Sequence, residues 1–559
     1  MLAVNKTMDI PRHVLKTLFS DTKFPLIQHH IDSYNDLLDV GIPTYIRNSN
    51  PFELEVPGNR FVRTYIGGKD GSKIRYKPPT EEDGSAIVPH ACRLDNKTYA
   101  LSILADIDIE YTFADNTTQT KSFSDVLIGK IPLMLRSRLC YLTGLPNYEI
   151  GECKYELGGY FIIDGSEKVL LTQELLGNNM FYAGTRTRKA PSGTKARLVE
   201  ADEPITFDDV KGEEGDTTYE EVTETYVGIK TFSEDGVRGP YSHFLTIPSE
   251  TLNEGARNGN YGRDNRVAMI NIRGFSQPIP LLSIFRALGV TSDRDLYDVI
   301  LAGVADKDRI SYDAIFYQLV LSHDKFLETI GKSDLQILSE FTRSKSRGEI
   351  VQSLYESLFS HVEGSFADGG ALFRRKAYML GHMLKMGLDV DIERTGPSDR
   401  DSFQFKRFKT SGVLMFEEFR RMYRETGKEL LLRMDRNNTF NPTTYRDKKL
   451  VDLVEPETIG RFWRGYMMLN EFSRSFKAAW GGRMGISQEL MRVSYLSAIH
   501  HLRKTDLQID KATSTAPPRR LYASQFGLTC PVDSPDGSDI GYKKSLTIVA
   551  QISTAVPSD

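Results

Sequence analysis

Between Thr98 and Phe113 apolar and polar residues alternate almost without a break. Leu101, Ile103, Ala105, Ile107, Ile109, Tyr111 and Phe113 share one face, and Asp106, Asp108 and Glu110 share the other. A period of two belongs to an extended chain, so the pattern predicts a strand with one face in a core and one in water. From Gly159 to Leu171 two β-rich runs flank Asp164-Gly165, and Asp-Gly supplies the positive backbone dihedrals of a tight hairpin. After Leu281 the period becomes helical, with helices predicted around 296–304, 314–323, 350–361 and 372–385. A further helix is predicted from Ile486 to Leu502. It would bury Ile486, Leu490, Val493 and Leu496 or Ile499, and leave Gln488, Arg492 and Arg503 free to point elsewhere.

Charge breaks this pattern in two places. Glu200 to Glu224 holds eleven acidic residues against one lysine, and Gly255 to Asn265 is rich in Gly, Asn and Arg; both read as solvated loops. After Pro397 the balance turns basic, and residues 461–559 carry 13 Lys/Arg against 8 Asp/Glu, a net of +5. The whole chain is net −4, so any affinity for a polyanion has to be local. Its 559 residues, at about 150 per domain, suggest three or four units with several cores. Cys92, Cys140, Cys153 and Cys530 form no C-x-x-C pair, which favours a reducing compartment over a disulfide or zinc framework. Met1 to Val14 lacks the apolar core of a secretory signal, and the most apolar stretches, 125–135 and 546–556, are short or interrupted. The chain is therefore expected to be soluble and intracellular, without a membrane partner.

The stretch from Arg519 to Leu546 is the most unusual. Its prolines, glycines and aspartates exclude a regular helix or a central strand and predict a fixed irregular loop. Arg519 and Arg520 before it, and Lys543 and Lys544 after it, are the side chains that hold phosphates, although a solvated loop has the same composition. Asp533, Asp536 and Asp539 lack the spacing and terminal glutamate of a calcium loop, so Asx-type turns are the better reading and no metal is expected. His29-His30 and His500-His501 point about 100° apart within each pair if helical, which suits surface or packing histidines rather than ligands of one ion. Phosphate-loop, dinucleotide and hydrolase-elbow motifs are absent.

The loop, written GLTCPVDSPDGSDIGYKKSL, resembles the G-L-x-C-P-x-E-T-P-E-G-x-x-x-G-L-x-K-N-L segment of the second-largest subunit of cellular DNA-dependent RNA polymerases. Gly527, Cys530, Pro531, Pro535, Gly537, Gly541, Lys544 and Leu546 fall on matching positions. Other segments follow in that family's order. They are Arg93-Leu94 with Thr98-Tyr99, Ile131 to Ser137, Gly158 to Leu170, Asp399 to Asp401 with Lys406, Arg407 and Gly412, and Gly485 to Gln488 with Leu502-Arg503. The wording is closer to the eukaryotic, archaeal and large-DNA-virus type than to the bacterial one.

The resemblance implies an α+β multidomain chain of mixed helices and antiparallel sheets. A protrusion would span 1–187 and 388–460, interrupted by a lobe at 188–387, and 461–559 would form the fork region and the start of the hybrid-binding segment. It implies a nucleotidyltransferase complex that makes RNA on a DNA template, in which this chain alone is inactive and has no catalytic residue. Magnesium would be held mainly by the largest, beta-prime-type subunit. A further chain would carry the C-terminal half if the subunit is split, and the site of action would be a nucleus, a viral factory or virion, or a host cytoplasm. Arg519, Arg520, Lys543 and Lys544 would contact polyanions, Gln488 and Arg503 would brace or reach a strand, and Asp533, Pro535, Asp536 and Gly537 would shape the active-centre loop. Asp533 and Asp536 replace the family's glutamates and are each a methylene shorter. The alternative is a non-catalytic nucleic-acid-binding protein or assembly scaffold derived from that subunit.

Overall fold

The structure, a computed structural model, describes residues 26–56, 60–81, 83–191, 219–232, 241–248, 267–272, 275, 277–341, 347–362, 364, 369–440, 443, 450–451, 465–507, 509 and 515–553, with scattered positions between 11 and 19. The Gly/Asn-rich stretch and residues 200–218 of the acidic one lie outside these. The chain forms two compact units, Met1–Leu175 with Lys406–Asp559, and Leu176–Phe405.

In the first unit the alternating segment is the strand Ala100–Thr112. Leu101, Ile103, Ala105, Ile107, Ile109 and Tyr111 are fully buried, each large side chain contributing about 1.5–3 kcal/mol against exposure. Thr118–Pro132 runs along one edge of this strand, while Ile74–Lys77 and Arg60–Ile66 share the other, and Phe52–Val56 closes an antiparallel sheet of five. On the wet face Arg75 pairs with Asp106 and Asp125, and Lys69 pairs with Glu110. Residues of the helices Gln28–Asp36, Ile42–Ser49, Ser411–Phe440 and Gly465–Lys477 complete the core, among them Tyr34, Ile46, Tyr423 and Phe472.

The hairpin lies where Asp-Gly places it. Phe161–Ile163 turns into Ser166–Leu170 through Asp164 at φ 45° and Gly165 at φ 80°, the left-handed pair that a two-residue turn requires. Ser487–Glu489 adds a third antiparallel strand, with Gln488 opposite Val169. A second small sheet orders Lys406–Lys409, Thr172–Leu176, Lys504–Asp506 and Lys543–Ser545, thereby joining segments from the two ends of the unit.

The long helix expected over Ile486–Leu502 is instead this short strand followed by a helix at Tyr495–Leu502. Ser494 caps that helix, its hydroxyl accepting the Ser497 N–H while the Ser497 hydroxyl accepts the Ser494 N–H, so the helix starts there. Ile486 and Leu490 are buried as expected, but Val493 and Leu496 are 86% and 73% exposed.

The second unit is α+β as well. Phe181–Pro191, Tyr219–Thr231, Tyr241–Pro248, Met269–Asn271 and Ile279–Pro280 form an antiparallel sheet in that order. The end of the acidic stretch, 219–224, is therefore strand and not loop; Thr225, Val227 and Ile229 are buried behind it. Asp293–Ile300, Asp306–Ile330, Arg347–Ser357 and Gly369–Asp391 are helices where the periodicity predicts them. Among the described residues, no helix is long and apolar enough to cross a membrane, and all four cysteines are free.

Candidate nucleic-acid interface

The irregular loop is built by short turns, not by repeating structure. Pro517–Arg519, Ala523–Gln525 and Gly537–Asp539 are single 3-10 turns, and the chain leaves them as the strand Lys543–Ser545. Backbone bonds from Cys530 N–H to the Ser545 carbonyl (2.8 Å) and from Thr547 N–H to the Leu528 carbonyl (3.0 Å) close its base. Ser534 ties the middle to the exit, its hydroxyl accepting the Gly541 N–H at 2.8 Å and donating to the Lys543 carbonyl at 3.2 Å. Gly541 is fixed by sterics. At φ +75° a Cβ there would lie 2.6 Å from both Cα and O of Arg519, which is backbone and cannot swing aside.

The basic residues have different surroundings. Arg519 lies 3.9 Å over the Tyr542 ring and donates to the carbonyls of Ser538 (2.8 Å) and Ile540 (2.9 Å), so it staples the loop from outside. Arg520 is exposed. Lys543 pairs with Asp539 at 2.9 Å. Lys544 is only 6% exposed, and its ammonium lies 2.8 Å from Glu174, which also pairs with buried Lys406 at 3.2 Å. Strand register puts it there, because Thr505↔Lys544 and Thr505↔Thr172 set the two neighbouring strands in line with Glu174. Arg503 is 4% exposed and donates to the carbonyls of Leu26, Thr547 and Ala550. Burial lowers its pKa.

Gln488 is half-buried; its amide donates to the Gly485 carbonyl and its oxygen meets His501. Asp533 lies 2.6 Å from His500. Burial alone would raise its pKa, but hydrogen bonds from Ser545 and His500 and the charges of His500 and Lys504 outweigh it and hold the carboxyl below its ordinary range. Pro535, Asp536 and Gly537 face solvent at the tip. Arg492, expected to be free, is clasped instead. It bonds Glu156 and Glu167 and lies 5.3 Å over the Tyr160 ring, in a cluster that also holds Arg93 and Glu152.

The structure thus leaves Arg520 and the tip Pro535–Gly537 open to a ligand, puts Arg519 and Lys543 at the rim, and commits Lys544 and Arg503 to the interior. Sequence reasoning missed Glu174, Lys406 and the role of His500. Glu174 sits between Gln173 and Leu175 in the strand Thr172–Leu176 with no local motif to mark it, and its burial follows from strand pairing with distant segments. Phe526 and Val532 in the loop, and Val493 and Leu496 at the start of the helix that carries His500, are exposed to 94%, 86%, 86% and 73%. Among the described residues, no group of three or more His, Cys, Asp or Glu side chains could hold a metal ion.

Comparison with known proteins gives consistent matches across both units. A family model described as RNA polymerase beta subunit matches residues 25–460, and one described as RNA polymerase Rpb2, domain 3, matches residues 488–552. DNA-directed RNA polymerase II subunit 2 of Arabidopsis thaliana is 27% identical over 554 residues, covering 94% of this chain and 42% of that protein. DNA-directed RNA polymerase II subunit RPB2 of Schizosaccharomyces pombe is 29% identical over 500 residues, covering 86% of this chain and 37% of that protein. DNA-directed RNA polymerase subunit Rpo2N of Methanothermobacter thermautotrophicus is 27% identical over 570 residues, covering 96% of this chain and 95% of that protein. The chain spans about two fifths of the length of the eukaryotic relatives and nearly the whole of the archaeal one.

Proposed function

Because the chain belongs to the RNA polymerase beta subunit family, we propose that it serves as the N-terminal part of the second-largest subunit of a DNA-dependent RNA polymerase. In that role it helps form the DNA cleft and the fork beside the active centre. The observation that carries this reading is the match of the family model over residues 25–460 together with the second match over 488–552, the segment that contains the stapled loop. The similarity to Rpo2N over 95% of that protein supports a split subunit, whose other half is a separate chain.

Within this proposal the inserted unit is the lobe, the remainder is the protrusion and fork, and the exposed Phe526, Val532, Val493 and Leu496 meet the largest subunit and the chain carrying the C-terminal half. The DNA template and RNA transcript pass the rim formed by Arg519, Arg520 and Lys543, whose charges suit a phosphate backbone. Magnesium held mainly by the largest subunit would stabilise the attacking and leaving oxygens of phosphodiester formation. This chain's residues position strands and supply charge. Lys544 and Arg503 act from the interior, one holding strands together and the other bracing the segment after the loop.

The test is Arg520→Ala in the assembled complex, since this side chain is exposed and its removal leaves the staples of the loop in place. Unchanged assembly with slower elongation supports the proposal. Loss of assembly at unchanged nucleotide addition would favour a scaffold.

A further inference from the structure

The sequence pattern suits His500 and His501 to surface or packing roles, yet the two rings have different partners. His501 is 4% exposed. Its Nδ1 lies 3.2 Å from the backbone nitrogen of Met491, and a peptide N–H can only donate, so Nδ1 is an acceptor and the ring proton sits on Nε2. From there it donates to Gln488 Oε1 at 3.0 Å, which turns the Gln488 amide nitrogen toward the Gly485 carbonyl at 3.0 Å. Burial, then the charges of Lys504 and His500, push His501 down to about 4, which keeps the neutral form this chain of bonds requires.

His500, next on the same helix, points the other way. Its Nε2 lies 2.6 Å from Asp533 Oδ2 and 3.0 Å from the Ser545 hydroxyl, so helix, loop and exit strand meet at one ring. Asp533 is the position where this chain carries a carboxylate one methylene shorter than the family's glutamate.

We propose that His500 and His501 are positioning residues that set the two sides of the fork independently, His501 holding the Gln488 strand and His500 latching the Asp533 loop. Adjacent residues on a helix diverge by about 100°, so one short, capped helix can address both walls. The consequence for RNA synthesis rests on the polymerase reading; the latching itself does not.

Hydrogen exchange of the full chain tests it without nucleic acid or activity. The Met491 amide reports on His501, and the amides of Cys530, Gly541 and Tyr542 report on the loop. For a half-exposed pair, 42% and 43% exposed, His500→Ala should speed exchange of the loop amides about two- to fivefold and leave Met491 unchanged. His500→Gln, which keeps a donor near the Nε2 position, should restore the slow rate. His501→Ala should expose Met491 and leave the loop alone, and His501→Asn, which keeps an acceptor near Nδ1, should protect it again. Asp533→Asn should add little to His500→Ala. Unchanged loop exchange in His500→Ala, or equal acceleration of both segments in both alanine variants, would overturn the proposal while leaving the polymerase reading untouched.

Discussion

Glu174 gives the sharpest energetic prediction. Its side chain is 2% exposed and is shared by the ammonium groups of Lys406 and Lys544, whose side chains are 5% and 7% exposed. Glu174→Gln keeps the shape and removes the charge, so two buried cations lose the carboxylate between them. Breaking a buried pair this way costs about 3–5 kcal/mol, because the remaining charge keeps its desolvation penalty and loses its compensation. With a urea m-value of about 3 kcal/mol/M, the midpoint of the transition of the unit that holds Glu174 should fall by about 1–1.7 M. The triple variant Glu174→Leu, Lys406→Met, Lys544→Met removes all three charges and should recover most of that loss, since apolar groups of similar volume replace buried ion pairs at little cost. A cost below about 1 kcal/mol for Glu174→Gln, or a triple variant no more stable than the single one, would refute a structural role for Lys544. It would return Lys544 to the pool of residues available to a polyanion.

Other outcomes follow from the same geometry. If the chain binds DNA through its rim, Arg520→Ala should lower the slope of log affinity against log salt by about 0.9, with unchanged stability, measured by fluorescence anisotropy from 50 to 200 mM salt. Gly541→Ala puts a Cβ 2.6 Å from the Arg519 backbone at a positive φ; it should cost about 1–2 kcal/mol from the dihedral alone and speed exchange of the Cys530 and Tyr542 amides, and a silent substitution would contradict the close approach. His30 and His243 are buried and pushed down to about 4, mainly by desolvation. The unfolded chain therefore binds more protons between pH 6.5 and 4, stability is fully present above about pH 6.5 and falls below it, and the loss from pH 7.5 to 5 should be about 2 kcal/mol for each. A flat urea midpoint over that range would count against it. Below pH 4 Glu167 and Glu418 add to the loss, because burial raises their carboxyls but bonds from Arg492 and from Arg421 and Ser475 hold them below the ordinary value.

Much of this fold is legible in the sequence wherever one local rule governs. Ala100–Thr112 is read from a period of two because a single strand with one wet face obeys only that constraint, and Asp164-Gly165 is read from the turn because few residues accept two positive φ values. Ile486–Leu502 misleads because its apolar residues at three- and four-residue spacing fit a helix, whereas the Ser494–Ser497 capping box seen in the structure starts the helix only at Tyr495. The loop's irregularity was visible in its glycines and prolines; its electrostatics were not. Lys544 meets Glu174, and Arg492 meets Glu156, across 370 and 336 residues of chain, and no local pattern reports which of several basic residues a distant carboxylate will take. Exposure therefore separates Arg520 from Lys544 only once strand register is known.

The central claim, that this chain is part of a multisubunit RNA polymerase, is tested most directly by purifying it under native conditions from its source. The partners are identified by mass spectrometry and the eluate is assayed for template-dependent nucleotide incorporation. The account predicts recovery of a largest subunit and of a separate chain carrying the C-terminal half, together with RNA synthesis. Recovery of the chain by itself, with or without bound DNA and with no RNA made, would contradict it.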